Sequence, residues 1–126
     1  MKSTSFINFT NHPSSQWSES QILAAKSFGE IIDLPFPSVD PFCDEEEIEQ
    51  LAKQYVDKIT DNNPVAVLCQ GEYSLAYAVT FLLRQKQIPV LAACSSRMVT
   101  EVSVNGETRR ESVFQFVRFR EMGKGL

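Results

Sequence analysis

The stretch VAVLCQGEYSLAYAVTFLLRQKQIPVLAAC, residues 65 to 94, admits few folds. It opens with a continuous apolar run, VAVLCQ, the pattern of a strand buried on both faces. Gly71 follows, and from about Tyr73 to Gln87 the residues Leu75, Ala78, Val79 and Leu82 recur along one helical stripe. A second apolar run, IPVLAAC (88–94), is entered by a proline at its edge. Two buried strands joined by a helix lie parallel, with a right-handed crossover, and helices then cover the sheet.

The rest of the chain repeats this alternation. TSFINFT (4–10) alternates and is rich in β-formers, so it reads as the first strand. Ser18 and Gln21 form an S-x-x-Q capping box for a helix running to about Phe28, and Gly29 ends it. EIIDLPF (30–36) is a second strand, stopped by Pro35 and Pro37. Asp44 caps the next helix, Glu45, Glu46 and Glu47 match its dipole, and Ile48, Leu51, Ala52, Tyr55, Val56 and Ile59 carry its period. That acidic run is solvated surface rather than a metal site. The expected fold is α/β, a doubly wound, mostly parallel sheet of order 2-1-3-4 over residues 1–97. Residues 98–126 change character: two alternating runs flank Asn105-Gly106, predicting a C-terminal antiparallel β-hairpin that extends the sheet. The 126 residues read as a single domain.

Composition excludes several function classes. A content of 43% hydrophobic residues is too high for a disordered segment. No stretch approaches the ~20 apolar residues of a membrane helix. No membrane partner and a cytoplasmic location are expected, because the N-terminus also lacks a secretory pattern. Cys43, Cys69 and Cys94 show no CxxC spacing, so neither a disulfide framework nor a metal site is indicated. A net charge of −4 argues against duplex DNA as a partner. The charge is uneven: residues 1–96 hold six Lys or Arg against twelve Asp or Glu, while 97–126 hold six against four. The C-terminal region can therefore meet an anionic small ligand.

In open parallel sheets ligands bind beyond the carboxyl ends of the strands, where the order reverses. That switch point falls between strands 1 and 3, between the loops TNHPSSQW and QGEYS, and the segment SSRMV after strand 4 borders the same rim. His12 suits acid/base work near neutrality, although with Asn11 and Pro13 it also fits a plain turn. Ser14 and Ser15 offer hydroxyls to a phosphate or simply form a turn. Trp17 stands where a hydrophobic staple or a base-stacking face would. Gly71 permits a tight turn or a close ligand approach, and Tyr73 offers a stacking face or packs. Glu72 would repel a phosphate at its helix start and suits a ribose hydroxyl better. Ser95 and Ser96 precede Arg97, whose forked donors match an anion but which also fits plain surface. In the last strand Arg118 and Arg120 share parity with Phe114 and Phe116. Neither a Walker A loop nor a GxGxxG motif is present, which disfavours classical NTP or NAD binding.

The strings INFTNHPSSQW and VLCQGEYSLAYAVTFLLRQKQIPVLAACSSR resemble small stand-alone Rossmann-like proteins encoded beside type III CRISPR systems, relatives of CARF domains. The resemblance covers most of the chain in topology and rests on short motifs. It implies a three-layer α/β/α fold and a homodimer whose strand 1 and strand 4 loops form a symmetric pocket for a cyclic oligoadenylate or other nucleotide-type anion. In the ring nucleases among them the ribose 2′-hydroxyl attacks the adjacent phosphorus, leaving a 2′,3′-cyclic phosphate, with no metal or cofactor. Carried onto this sequence, His12 or Glu72 would activate the hydroxyl, Arg97 would hold the phosphate, and Asn11, Ser14, Ser15, Ser95 and Ser96 would line the pocket. The acidity of the chain departs from that pattern. Two alternatives stand beside it: a non-catalytic module that docks a partner through the C-terminal hairpin, and a small-molecule enzyme using His12 with Glu72 as an acid/base pair.

Overall fold

The computed structural model describes residues 3–126. The elements in chain order are β1 (Ser5–Phe9), α1 (Glu19–Lys26), β2 (Glu30–Asp33), α2 (Glu45–Thr60), β3 (Pro64–Cys69), α3 (Tyr73–Gln85), β4 (Val90–Val104) and β5 (Glu107–Glu121). They build a mixed α/β fold around one five-stranded sheet of order β2-β1-β3-β4-β5. The first four strands are parallel and β5 is antiparallel to β4. No helix among the described residues is long and apolar enough to cross a membrane.

Successive residues of β1 and β3 point to opposite faces, and both faces are apolar, so two clusters form. Ile7, Phe9, Val67 and Val90 pack with Ala52, Val56 and Ile59 of α2 and Leu75, Val79 and Leu83 of α3. Phe6, Ala66, Leu68, Leu91 and Phe119 pack with Ala25 of α1. The helix starts follow local chemistry. Gln21 donates its backbone N–H to the Ser18 hydroxyl, and at α2 Asp44 and Glu47 exchange both bonds of a capping box.

Two expectations about the C-terminal half are corrected. The order runs on from 2-1-3-4 to a fifth strand, and SSRMV is not a loop: β4 continues through Ser95, Ser96 and Arg97 to Val104, so position 97 lies within a strand. Pairing with β5 holds these polar residues extended, Ser95 opposite Phe116 and Arg97 opposite Phe114. The predicted turn is present, with φ of 53° at Asn105 and 78° at Gly106, the left-handed pair that a two-residue hairpin requires. Between Cys94–Arg118 and Ser95–Phe116 the register shifts, and Val117 is passed over as a bulge. The bulge overturns the expected parity. Phe116 now shares a face with Phe119, their rings 4.9 Å apart, while Arg118 and Arg120 fall on the opposite face. Beyond the bulge the two strands leave the sheet as a two-stranded arm.

Candidate functional site

The loop from Thr10 to Trp17 is held from beneath. Asn8, only 1% exposed, donates to the Asp33 carboxylate at 2.8 Å and to the His12 carbonyl at 2.9 Å, and accepts from the Thr10 hydroxyl at 2.8 Å. The Trp17 indole N–H also donates to the His12 carbonyl, at 3.0 Å. Ser14 gives Asp33 both its backbone N–H and its hydroxyl. Burial alone would raise the Asp33 carboxyl, but the hydrogen bonds from Asn8 and Ser14 outweigh it and hold the group below the usual carboxylate range. The carbonyl of residue 12 thus faces inward, while the side chain of His12 is exposed.

That side chain borders an open crevice of about 590 Å³ between the loop, the start of α1 and the root of the arm. Three aromatic residues line it, Trp17, Phe114 and Phe116. So do four glutamines, Gln16, Gln21, Gln70 and Gln115, and the hydroxyls of Thr10, Ser18, Ser20 and Ser95. Among the described residues no lysine, arginine or carboxylate lines it. Gln70 is oriented by its surroundings: its Oε1 accepts the Ala93 N–H at 3.3 Å, which leaves the amide N–H₂ as the free end. The chemistry offered is flat apolar faces with neutral donors and acceptors.

The residues singled out in sequence divide among three places. His12 and Ser95 meet at the crevice, with Trp17. Asn11 is exposed and does not line it, and Ser14 and Ser15 border a shallow depression beside Lys26 and Glu30. Gly71 and Tyr73 border a separate groove of about 440 Å³ along α3. Gly71 has a packing reason: a Cβ there would stand 2.5 Å from the Phe36 ring. Glu72 caps α3, accepting from the N–H groups of Ser74 and Leu75 and from the Ser74 hydroxyl. Those bonds hold its carboxyl below the ordinary range, so it is a weak base. Ser96 faces away from Ser95 on the strand. Arg97 shares the Phe114 face but its guanidinium donates to the Ser112 hydroxyl at 2.9 Å, farther along the arm.

Sequence reasoning passed over Gln70 and Asp33. Each is the polar residue that closes an apolar strand at the carboxyl rim, a signal readable in VAVLCQ and EIID. A further groove, of about 540 Å³, lies between α2 and α3, walled by Ile48, Ala78, Phe81 and Leu82 and also lined by Glu45, Glu49, Lys53 and Tyr77. Burial pushes the Cys69 thiol up to about 11, against a smaller opposing effect of Thr80, so it remains protonated at neutral pH.

A search of curated proteins and a search of solved structures found no significant match. Residues 4–120 match the model of the Uncharacterized protein MJ1673 family, and the chain belongs to that family.

Proposed function

We propose that the crevice binds a nucleotide through its base, and that its ligand is of the cyclic oligoadenylate class, taken at a junction of two copies. Read this way, the architecture is Rossmann-like and three-layered, with the ligand at the carboxyl rim of the sheet. One observation carries the reading: Trp17, Phe114 and Phe116 stand around the same opening as Gln16, Gln21 and Gln70. Aromatic faces stack on bases at about 1–3 kcal/mol per base, and a primary amide can read both donors and acceptors on a base edge. The crevice falls within the range of small-molecule sites and has room for one nucleotide rather than a whole ring. A cyclic ligand would then insert one base into each of two copies.

Binding is better supported than cleavage. Of the three residues that the resemblance assigns to catalysis, His12 alone borders the crevice. Glu72 is committed to its helix cap and Arg97 to Ser112. Phosphodiester cleavage would rest on His12 and on the ligand's own 2′-hydroxyl.

Calorimetry with cyclic tri-, tetra- and hexa-adenylate tests the reading. Micromolar binding of at least one ring, weakened about tenfold or more in Trp17→Ala, supports it. Silence from all three at micromolar concentrations removes it. His12→Ala should keep affinity within about tenfold, a difference of roughly 1.4 kcal/mol, and abolish whatever turnover the wild type shows. A docking module remains the second reading, favoured by the apolar side chains that the arm exposes, Met98, Val99, Val113 and Val117.

A further inference from the structure

We propose that two copies associate by laying their arms antiparallel along β5, so that each arm carries Arg110 to the crevice of the other copy. The second half of this proposal rests on the nucleotide reading of the crevice; the association does not.

The arm needs a partner on physical grounds. From Ser95 to Val104 it extends ten residues, about 33 Å at the usual rise per residue, and its two strands pair only with each other along that length. An isolated two-stranded ribbon is at best marginally stable in water. This one exposes Met98, Val99, Val113 and Phe114, the last at 71%. The outer edge of β5 also ends the sheet with unpaired backbone groups, which suit strand addition.

Charge selects a second copy as the occupant. Residues 97–116 carry three arginines and three glutamates, so the net charge of −4 resides on the rest of the chain. Bodies brought together would repel, whereas arms brought together meet as neutral surfaces with both signs present. Area adds a further constraint. Edge pairing covers less than one flat face of a ribbon of this length, itself roughly 300 Å² and well below the ~800 Å² per partner of a standard interface. A stable pair therefore needs each arm to reach the body of the other copy as well.

Antiparallel overlap makes that contact unavoidable, because the tip of one arm lies at the root of the other. The tip bears Arg110, which shares its strand face with Phe114 while Arg109 points to the other face; the root bears Val113, Phe114, Gln115 and Phe116, which wall the crevice. The crevice has three stacking faces and, among the described residues, no cation of its own. A ligand with phosphates needs a cation there, and the opposing tip brings one, Arg110.

Sedimentation of the full chain, and of a variant in which residues 99–112 are replaced by Asn-Gly, decides the association. The replacement joins Met98 to Val113, which already face each other, through a two-residue turn. The wild type should be a dimer, and the trimmed chain a monomer with a cooperative melt. A wild-type monomer, or a trimmed dimer, overturns the proposal and leaves the arm to a different protein. Should the trimmed chain not fold, Val113→Lys gives the same readout at an exposed position, where a persistent dimer also counts against the proposal. For the crevice, Arg110→Ala should stay dimeric yet bind cyclic tetra-adenylate at least tenfold more weakly, whereas Arg109→Ala, on the opposite face, should keep the wild-type affinity. Unchanged affinity in Arg110→Ala overturns the role of that arginine. If the wild type binds no cyclic adenylate but dissociates on trimming, the nucleotide reading fails and the arm contact stands.

Discussion

Replacing Phe119 with alanine should detach the C-terminal strand from the body. Phe119 is the one buried residue of β5, at 8% exposure, and its ring lies 5.1 Å from Phe6, 4.9 Å from Phe116, 6.4 Å from Trp17 and 6.5 Å from Phe28. A Phe→Ala change in a packed core costs about 3–5 kcal/mol, through lost transfer energy and the cavity left behind. Four aromatic neighbours place Phe119 in the middle to upper part of that range, about 4 kcal/mol, against a total stability of about 5–15 kcal/mol. With a urea slope of about 2 kcal/mol per molar, the unfolding midpoint falls by roughly 2 M. The control is Phe114→Ala on the same strand, 71% exposed, expected to cost less than about 1 kcal/mol in dilute protein. Equilibrium urea unfolding followed by Trp17 fluorescence measures both. If Phe119→Ala costs under about 1 kcal/mol, or no more than Phe114→Ala, this cluster does not anchor β5. Deletion of 98–126 would therefore remove core together with arm, so an arm test must spare residues 113–121.

Gly71→Ala puts a Cβ 2.5 Å from the Phe36 ring, and overpacking of this kind costs about 1–3 kcal/mol; adding Phe36→Leu should return part of the loss in a double-mutant cycle, and additive losses would count against the contact. Asp33 has a depressed carboxyl in the folded chain, so its contribution is present above the unfolded value near pH 4 and is lost as pH falls through the folded one. Wild-type stability should therefore drop on acidification more steeply than that of Asp33→Ala, and parallel pH profiles would contradict the loop network. Cys69, with its thiol pushed up to about 11 by burial, should resist Ellman's reagent at pH 8 in the native protein and react in urea; a fast native reaction that disappears in Cys69→Ala would show the thiol to be accessible.

The parts of the fold legible in sequence are those fixed by local pattern. The strand–helix–strand unit from 65 to 94, the cap at Asp44 and the turn at Asn105-Gly106 follow from period, side-chain hydrogen bonding and positive φ, all set within a few residues. What escaped depends on distant partners. Ser95, Ser96 and Arg97 read as a loop because they are polar, yet pairing with β5 keeps them extended. The bulge at Val117 leaves no composition signal and reverses which side Arg118 and Arg120 occupy. Gly71 suggested a ligand approach in sequence, whereas Phe36, far back in the chain, accounts for its missing side chain. The candidate site was legible to the same degree: His12, Trp17 and Ser95 reach one crevice, Gln70 was readable as the polar end of an apolar strand, and the arm aromatics join through tertiary structure alone.

The loop beneath the crevice explains why its lining can act together. Asn8 is a primary amide in the middle of a strand whose five residues are all buried, a position where an unpaired polar group costs about 1–3 kcal/mol. Here Asp33, Thr10 and the carbonyl of His12 satisfy it, and that carbonyl also receives the Trp17 indole N–H. One buried amide thus fixes the His12 carbonyl, and that carbonyl in turn anchors the Trp17 indole. Ordering a free side chain at an interface costs about 0.5–1.5 kcal/mol, and an indole already fixed by its N–H and by the edge-on Phe6 ring avoids most of that cost. If the crevice binds as proposed, Asn8 bears on affinity without touching ligand: it fixes the His12 carbonyl, and through it the Trp17 indole, before anything binds, which an apolar residue of similar size in the same strand would not do.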